Sequence, residues 1–215
     1  MILCVFLMRN QYQKKKKILE KLKNGSIAGL MISPAKNPFS KKISKQLIEI
    51  QDYKIPIVMF DRIVGDFKCD KVFIDDFQSS FNIVKHLVSK GKRKIALVSP
   101  IHDTLIGKQR YDGYKEGLKV EKIDSIICIE QHITVAIHSL LLNLNFNIPK
   151  DIAIVGFTDG PLFEYTKPSI TSVNQHGEYI GKLSAKILID RIENNNDLDF
   201  VEERVPTSLT IRKST

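Results

Sequence analysis

The chain has 215 residues, of which 43% are hydrophobic and 27% charged, the balance of an ordinary globular chain of one domain or two small lobes. Eleven Gly and eight Pro exclude collagen-like or low-complexity character, and no apolar run approaches the roughly 18 residues of a membrane-spanning helix. The net charge of +9 raises the question of nucleic acid, which the distribution of the cations has to answer.

The opening run, Ile2–Leu7, has the apolar character of a signal-peptide core, but its positive charge follows rather than precedes it, and a buried strand fits better. Next come Lys14 to Lys17, the densest cationic run. Ile18, Leu19 and Leu22 follow at helical spacing, and Asn24-Gly25 supplies a stop, so the lysines read as a solvated helix face. No arginine-rich or aromatic-interleaved pattern accompanies them, as a nucleic-acid surface would require.

Further short apolar runs occur at Ile27–Ile32, Ile55–Phe60, Val72–Ile74, Ile95–Val98, Ser125–Ile129 and Ile152–Phe157. They do not alternate with polar residues, which predicts strands covered on both faces, as in a parallel sheet. Between them lie amphipathic stretches. One spans Phe77 to Lys90, with Phe77, Phe81, Val84 and Val88 as its predicted inner face, Asp75-Asp76 at its start and Gly91 at its end. Another spans Glu178 to Glu193, with Ile180, Leu183, Ile187 and Ile192 inward and Asn194 to Asn196 closing it. Strands alternating with helices predict a doubly wound α/β fold. Lys167-Pro168 to Asn174 and Arg204 to Arg212 read as extended segments that break this rhythm near the end, as chain crossings between two lobes would.

Most catalytic signatures are missing. No G-x-G-x-x-G follows a strand, there is no phosphate-binding G-x-x-x-x-G-K-[ST] loop, and no G-x-S-x-G elbow. His132 and His138 are six apart, on different faces of a helix, and suit no zinc pair. Cys4, Cys69 and Cys128 are odd in number and widely spaced, so free buried thiols are expected and a disulfide frame or metal site is not. Neither cofactor nor metal is called for. A small phosphotransferase or hydrolase is the enzyme alternative, to be judged by turnover.

Open α/β sheets bind ligands at the carboxyl ends of their strands. Those ends carry Ser33-Pro34, Asp61-Arg62, Ser99-Pro100, Glu130-Gln131 and Thr158-Asp159, with Arg110 opening a helix shortly after Ser99. Carboxylates accept from hydroxyl pairs and a guanidinium donates in a fork, so this set fits a neutral, hydroxyl-rich ligand. Taken singly, each residue could equally cap the next helix.

Several ordered motifs resemble one family. Ile55-Pro56-Ile57-Val58-Met59-Phe60-Asp61-Arg62 is similar to P-V-V-x-x-D-R, and Arg110-Tyr111-Asp112-Gly113-Tyr114 to R-x-x-G-[FY]. The stretch with Asp75, His86-Leu87, Gly91 and Arg93-Lys94-Ile95-Ala96 follows D-x-x-x-G/S…H-L-x-x-x-G-H-R-x-I-A, with Lys92 where His is usual. Ile148-Pro149-Lys150-Asp151-Ile152-Ala153-Ile154-Val155-Gly156-Phe157 matches I-P-x-D-I-A-V-V-G-[FY]; Pro168 to Val173 and Ile211 to Thr215 resemble P-x-L-T-T-V and a closing R-x-S-T. The chain thus resembles the effector-binding core of the LacI/GalR family of bacterial transcriptional repressors, built on the type I periplasmic-binding-protein-like fold.

The resemblance implies two lobes, residues 1–75 plus 174–203 and residues 76–173 plus 204–215, with an effector, a sugar or sugar derivative, bound between them. It places Ser33, Asp61, Arg110, Glu130, Thr158 and Gln175 around that effector. The family usually has Asn at Glu130 and Asp at Thr158, so Glu130, or else Asp159, is expected to accept the hydroxyls that the missing Asp would. It implies a cytoplasmic homodimer that meets operator DNA through a helix-turn-helix head not present in these residues, and no membrane. Against the family pattern the core reads as incomplete at its beginning and near residue 120, as in a truncated chain. A solute-binding protein of a sugar transporter is the alternative with the same fold; the closing R-x-S-T favours the regulator.

Overall fold

A computed structural model describes residues 3–7, 27–34, 48, 54–63, 67–101, 104–116, 123–194 and 199–215. The helix expected after Lys14 lies outside them, as does the Cys4 side chain.

The chain divides into two compact units, residues 1–74 with 176–205, and residues 75–175 with 206–215. In the first, β1 (Leu3–Leu7), β2 (Gly29–Ser33), β3 (Ile57–Phe60), β4 (Asp70–Ile74) and β9 (Glu202–Val205) form one parallel sheet in the order β1-β2-β3-β4-β9. Every residue of β2 and β4 is buried, including Asp70 and Lys71, which fits strands covered on both sides. Helix α5 (Gly177–Asn194) packs on β2, β3 and β4. Its inner row is Ile180, Ser184 and Leu188, whereas Leu183 and Ile187 are only half-buried. The inner face is therefore rotated from the expected one, because Ser184 satisfies its own hydroxyl on the Ile180 carbonyl at 2.7 Å and can sit inward. Arg191 forks onto buried Asp70, Nε to Oδ2 at 3.0 Å and Nη2 to Oδ1 at 2.9 Å, and so ties the helix end to β4.

The second unit holds β5 (Ile95–Val98), β6 (Ser125–Cys128), β7 (Ala153–Gly156), β8 (Thr171–Asn174) and β10 (Ser208–Thr210), in the order β10-β8-β7-β6-β5. All are parallel except β10, which runs antiparallel to β8 at the edge. Its helices are α1 (Asp76–Ser89), α2 (Leu105–Glu116), α3 (Gln131–Asn143) and the single turn α4 (Leu162–Tyr165). Asp75 caps α1 by accepting from the Gln78 N–H at 2.8 Å, and Gly91 turns the chain at φ +82°, both as the sequence predicts. The buried face of α1 is nevertheless Ser79, Ser80, Ile83, Val84 and Leu87, while Phe77 is exposed. The cause is α2, which crosses α1 closely: a Cβ at Gly113 would overlap the Phe77 carbonyl and crowd Ser80. Small side chains, not Phe77, have to face that crossing.

The closing tail stitches into this sheet. Ser214 is fully buried; its Oγ donates to the Ile154 carbonyl at 2.6 Å and accepts from the Thr171 N–H at 2.8 Å. Below it, Leu141, Ile154, Phe163 and Ile170 pack as a core cluster.

Candidate functional site

In the first unit, Ser33 ends β2 and is buried, and its Oγ donates to Asp61 Oδ2 at 3.3 Å. Asp61 follows β3 in the left-handed region at φ +61°, a conformation that Asp tolerates better than most residues. Arg62 Nε lies 3.9 Å from Asp61 Oδ2, so the pair at this strand end is charged of both signs.

In the second unit, Arg110, Thr158 and Gln175 gather about Phe157. The fully buried Phe157 ring lies under the Arg110 guanidinium, with Cζ 3.8 Å from the centroid. Its carbonyl accepts from Gln175 Nε2 at 2.7 Å. Arg110 stands in the middle of α2 rather than at a helix start, and its Nε donates to buried Asp76 at 2.7 Å. Asp76, expected only to cap a helix, thus holds Arg110, the buried arginine of this helix, whose other buried residues are Gly107 and Gly113.

Thr158 follows β7, and its buried Oγ1 finds no hydrogen-bond partner among the described residues. Glu130 follows β6, the strand beside β7, and stands at the N-cap of α3 without making a side-chain cap bond. Asp159 is engaged on both carboxylate oxygens. Oδ1 accepts from Ser172 Oγ at 2.6 Å and Arg212 Nη2 at 3.0 Å, and Oδ2 accepts from Thr210 Oγ1 at 3.3 Å. Burial alone would raise this carboxyl, but the bonds from Ser172 and Arg212 outweigh it and hold it below the ordinary carboxylate range.

His86 Nε2 meets Thr215 Oγ1 at 3.0 Å, and His138 Nε2 meets the Pro168 carbonyl at 3.1 Å. Cys69 and Cys128 are buried free thiols pushed up to about 12 by burial. Among the described residues no group of three His, Cys, Asp or Glu side chains could hold a metal, and no helix is long and apolar enough to cross a membrane.

Sheet strands alternating with helices in two units, polar loops at the strand ends and a tail woven into the second sheet define a periplasmic-binding-protein-like fold. The family model described as periplasmic binding proteins and sugar binding domain of LacI family matches residues 3–160, and a periplasmic binding protein-like domain matches residues 121–215. The chain belongs to this LacI-family group of sugar-binding domains. Among curated relatives, the HTH-type transcriptional repressor PurR of Vibrio atlanticus is 24% identical over 91% of this chain and 66% of its own length. The ribose operon repressor of Haemophilus influenzae is 21% identical over 83% of this chain and 61% of its own. The chain thus spans less than two thirds of the length of these two repressors. A solved transcriptional regulator CelR–cellobiose complex superposes with TM-score 0.83 at 21% identity, covering 95% of this chain and 71% of that one. A LacI family transcriptional regulator from Enterococcus faecium with bound ribose gives 0.77 at 22% identity, covering 93% and 83%.

Proposed function

We propose that this chain is the effector-sensing core of a LacI/GalR-type bacterial transcriptional regulator, acting in the cytoplasm as a homodimer and without catalytic activity of its own. The effector is a sugar or sugar derivative, and its candidate contacts are Ser33 and Asp61 in one unit and Arg110, Glu130, Thr158 and Gln175 in the other. Binding shifts the balance of lobe arrangements by the ligand's differential affinity for each, and a helix-turn-helix head on the whole regulator reports that shift to operator DNA.

The observation that carries this reading is the cluster around Phe157, where the buried Arg110 stacks on the ring while held by Asp76, and the hydroxyl of the next residue, Thr158, is buried with no hydrogen-bond partner among the described residues. A flat guanidinium pairs with adjacent oxygens in a fork, and an orphaned hydroxyl gains by meeting a polar ligand group. Sequence relatives that are repressors, together with two structural neighbours that hold cellobiose and ribose, support a saccharide over other polyols. They also favour a regulator over a transporter's binding protein.

A thermal-shift panel of mono- and disaccharides tests the reading. A sugar at 100 times its Kd adds about 2.7 kcal/mol of stability. Failure of every saccharide to shift melting, while an unrelated class such as nucleobases does so, would replace sugar with that class. Sedimentation velocity checks the homodimer.

A further inference from the structure

Asp159 sits next to Thr158 in the loop after β7, and its carboxylate is taken up by protein donors. Three donors occupy its two oxygens: Ser172 Oγ, Arg212 Nη2 and Thr210 Oγ1. Arg212 is itself held by the Ile170 carbonyl at 2.9 Å and Ser172 Oγ at 2.6 Å, and its backbone N–H donates to Thr171 Oγ1 at 2.9 Å. Both Thr210 and Arg212 belong to the segment by which the chain returns to the second unit at Pro206. At the start of that segment Thr207 Oγ1 meets Ser79 Oγ at 2.8 Å, and Ser79 Oγ donates to the Asp75 carbonyl where the chain first enters the unit.

We propose that Asp159 is a positioning residue rather than a ligand contact: through Arg212, Ser172 and Thr210 it fastens the loop that carries Thr158 to the returning strand β10. The inference rests on the reading of the β7 end as effector site and deepens it, because it assigns a route between that site and two of the chain crossings. A displacement of residues 206–212 reaches the Thr158 loop directly through the Arg212 ion pair and the Thr210 hydroxyl bond, and by way of β8 through Ser172. Acceptance of ligand hydroxyls in this unit then falls to Thr158 and Glu130, not to Asp159. A guanidinium that spans a carboxylate, a carbonyl and a hydroxyl suits such a clamp, because it defines orientation as well as distance.

Hydrogen–deuterium exchange on the whole chain without ligand tests the link. In Asp159→Asn and in Arg212→Gln, amides of residues 157–162 exchange roughly tenfold faster while those of α1 and α3 keep wild-type rates. The double variant adds no more than either single change, since both break one connection, and Arg212→Lys restores part of the protection. An unchanged loop, or an increase spread evenly over the second unit, overturns the proposal. In a parallel arm, D-ribose and cellobiose are titrated by calorimetry. A large affinity loss in Asp159→Asn with loop exchange unchanged makes Asp159 a direct contact and also overturns it. If wild type binds neither these nor any sugar of the panel, the sugar reading fails, and the exchange result still decides the clamp.

Discussion

Arg110 and Asp76 form an ion pair whose side chains are only 8% and 4% exposed. Removing one partner of such a pair strands a charge out of water. Asp76→Ala is therefore expected to cost about 3–5 kcal/mol in urea unfolding. Thr158 lies at the opposite pole. Its Oγ1 has lost water without gaining a protein partner, so Thr158→Val keeps the shape and removes that penalty. The unliganded chain should gain about 1 kcal/mol of stability by chemical denaturation, while affinity for a bound sugar falls; a stability loss would show that the hydroxyl is already satisfied. The site residues at strand ends are legible in the sequence because α/β sheets place function there. What the letters do not carry is engagement. Asp159 and Thr158 look interchangeable as a polar pair, and only the fold shows that Arg212, far along the chain, has claimed one of them.

At the scale of elements, the α1–α2 crossing depends on Gly113. A methyl there meets the Phe77 carbonyl, a backbone atom that cannot swing aside. Gly113→Ala should destabilise the second unit by about 1–3 kcal/mol, an overpacking cost that calorimetric melting would show. The same crossing explains why apolar spacing misplaces the inner face of α1. Spacing favours Phe77 and Phe81, but the close approach admits serine where bulk would clash, and Ile83 and Leu87 supply the burial instead. The seven apolar runs all contain or overlap strands, since strands covered on both faces read as mostly apolar runs. The three other strands read only as extended segments, or in part. Glu202 to Arg204 are exposed, Thr171 to Asn174 contains one apolar residue, and Ser208 to Thr210 forms an edge, so none carries a burial signature. Helix α3 has no clear signature either: its exposed Leu140 and Leu142 blur the contrast between faces on which periodicity depends.

For the whole molecule, burial sets a stability plateau in pH. Burial lowers His138 despite its bond to Pro168, and lowers His86 with help from Lys90. The folded chain thus favours neutral imidazoles. That contribution is complete above the ordinary value of 6.5 and is lost as pH falls through the lower folded values. Asp124 and Asp159 also titrate below their ordinary 3.8, net of burial, because backbone and side-chain donors hold their charged forms, so their share disappears further down. On the alkaline side, burial raises Cys69 and Cys128 from 9.0 to about 12 and raises Tyr114; unfolding releases those protons, so stability declines as pH climbs past 9. Melting temperature against pH should be flat between about 6.5 and 9 and fall on both sides; a maximum inside the acid limb would contradict it. Connectivity sets a second property. Each sheet receives its last strand, β9 or β10, from residues 202–210, after the chain has already supplied every other strand. During synthesis, then, both halves must wait on the ribosome with a raw flank of unpaired amides and carbonyls, one along Asp70–Ile74 and one along Thr171–Asn174. A chain stopped after Asn194 should leave both flanks permanently bare and collect in the pellet when lysates are spun, a vulnerability of nascent and interrupted copies that the finished protein does not share.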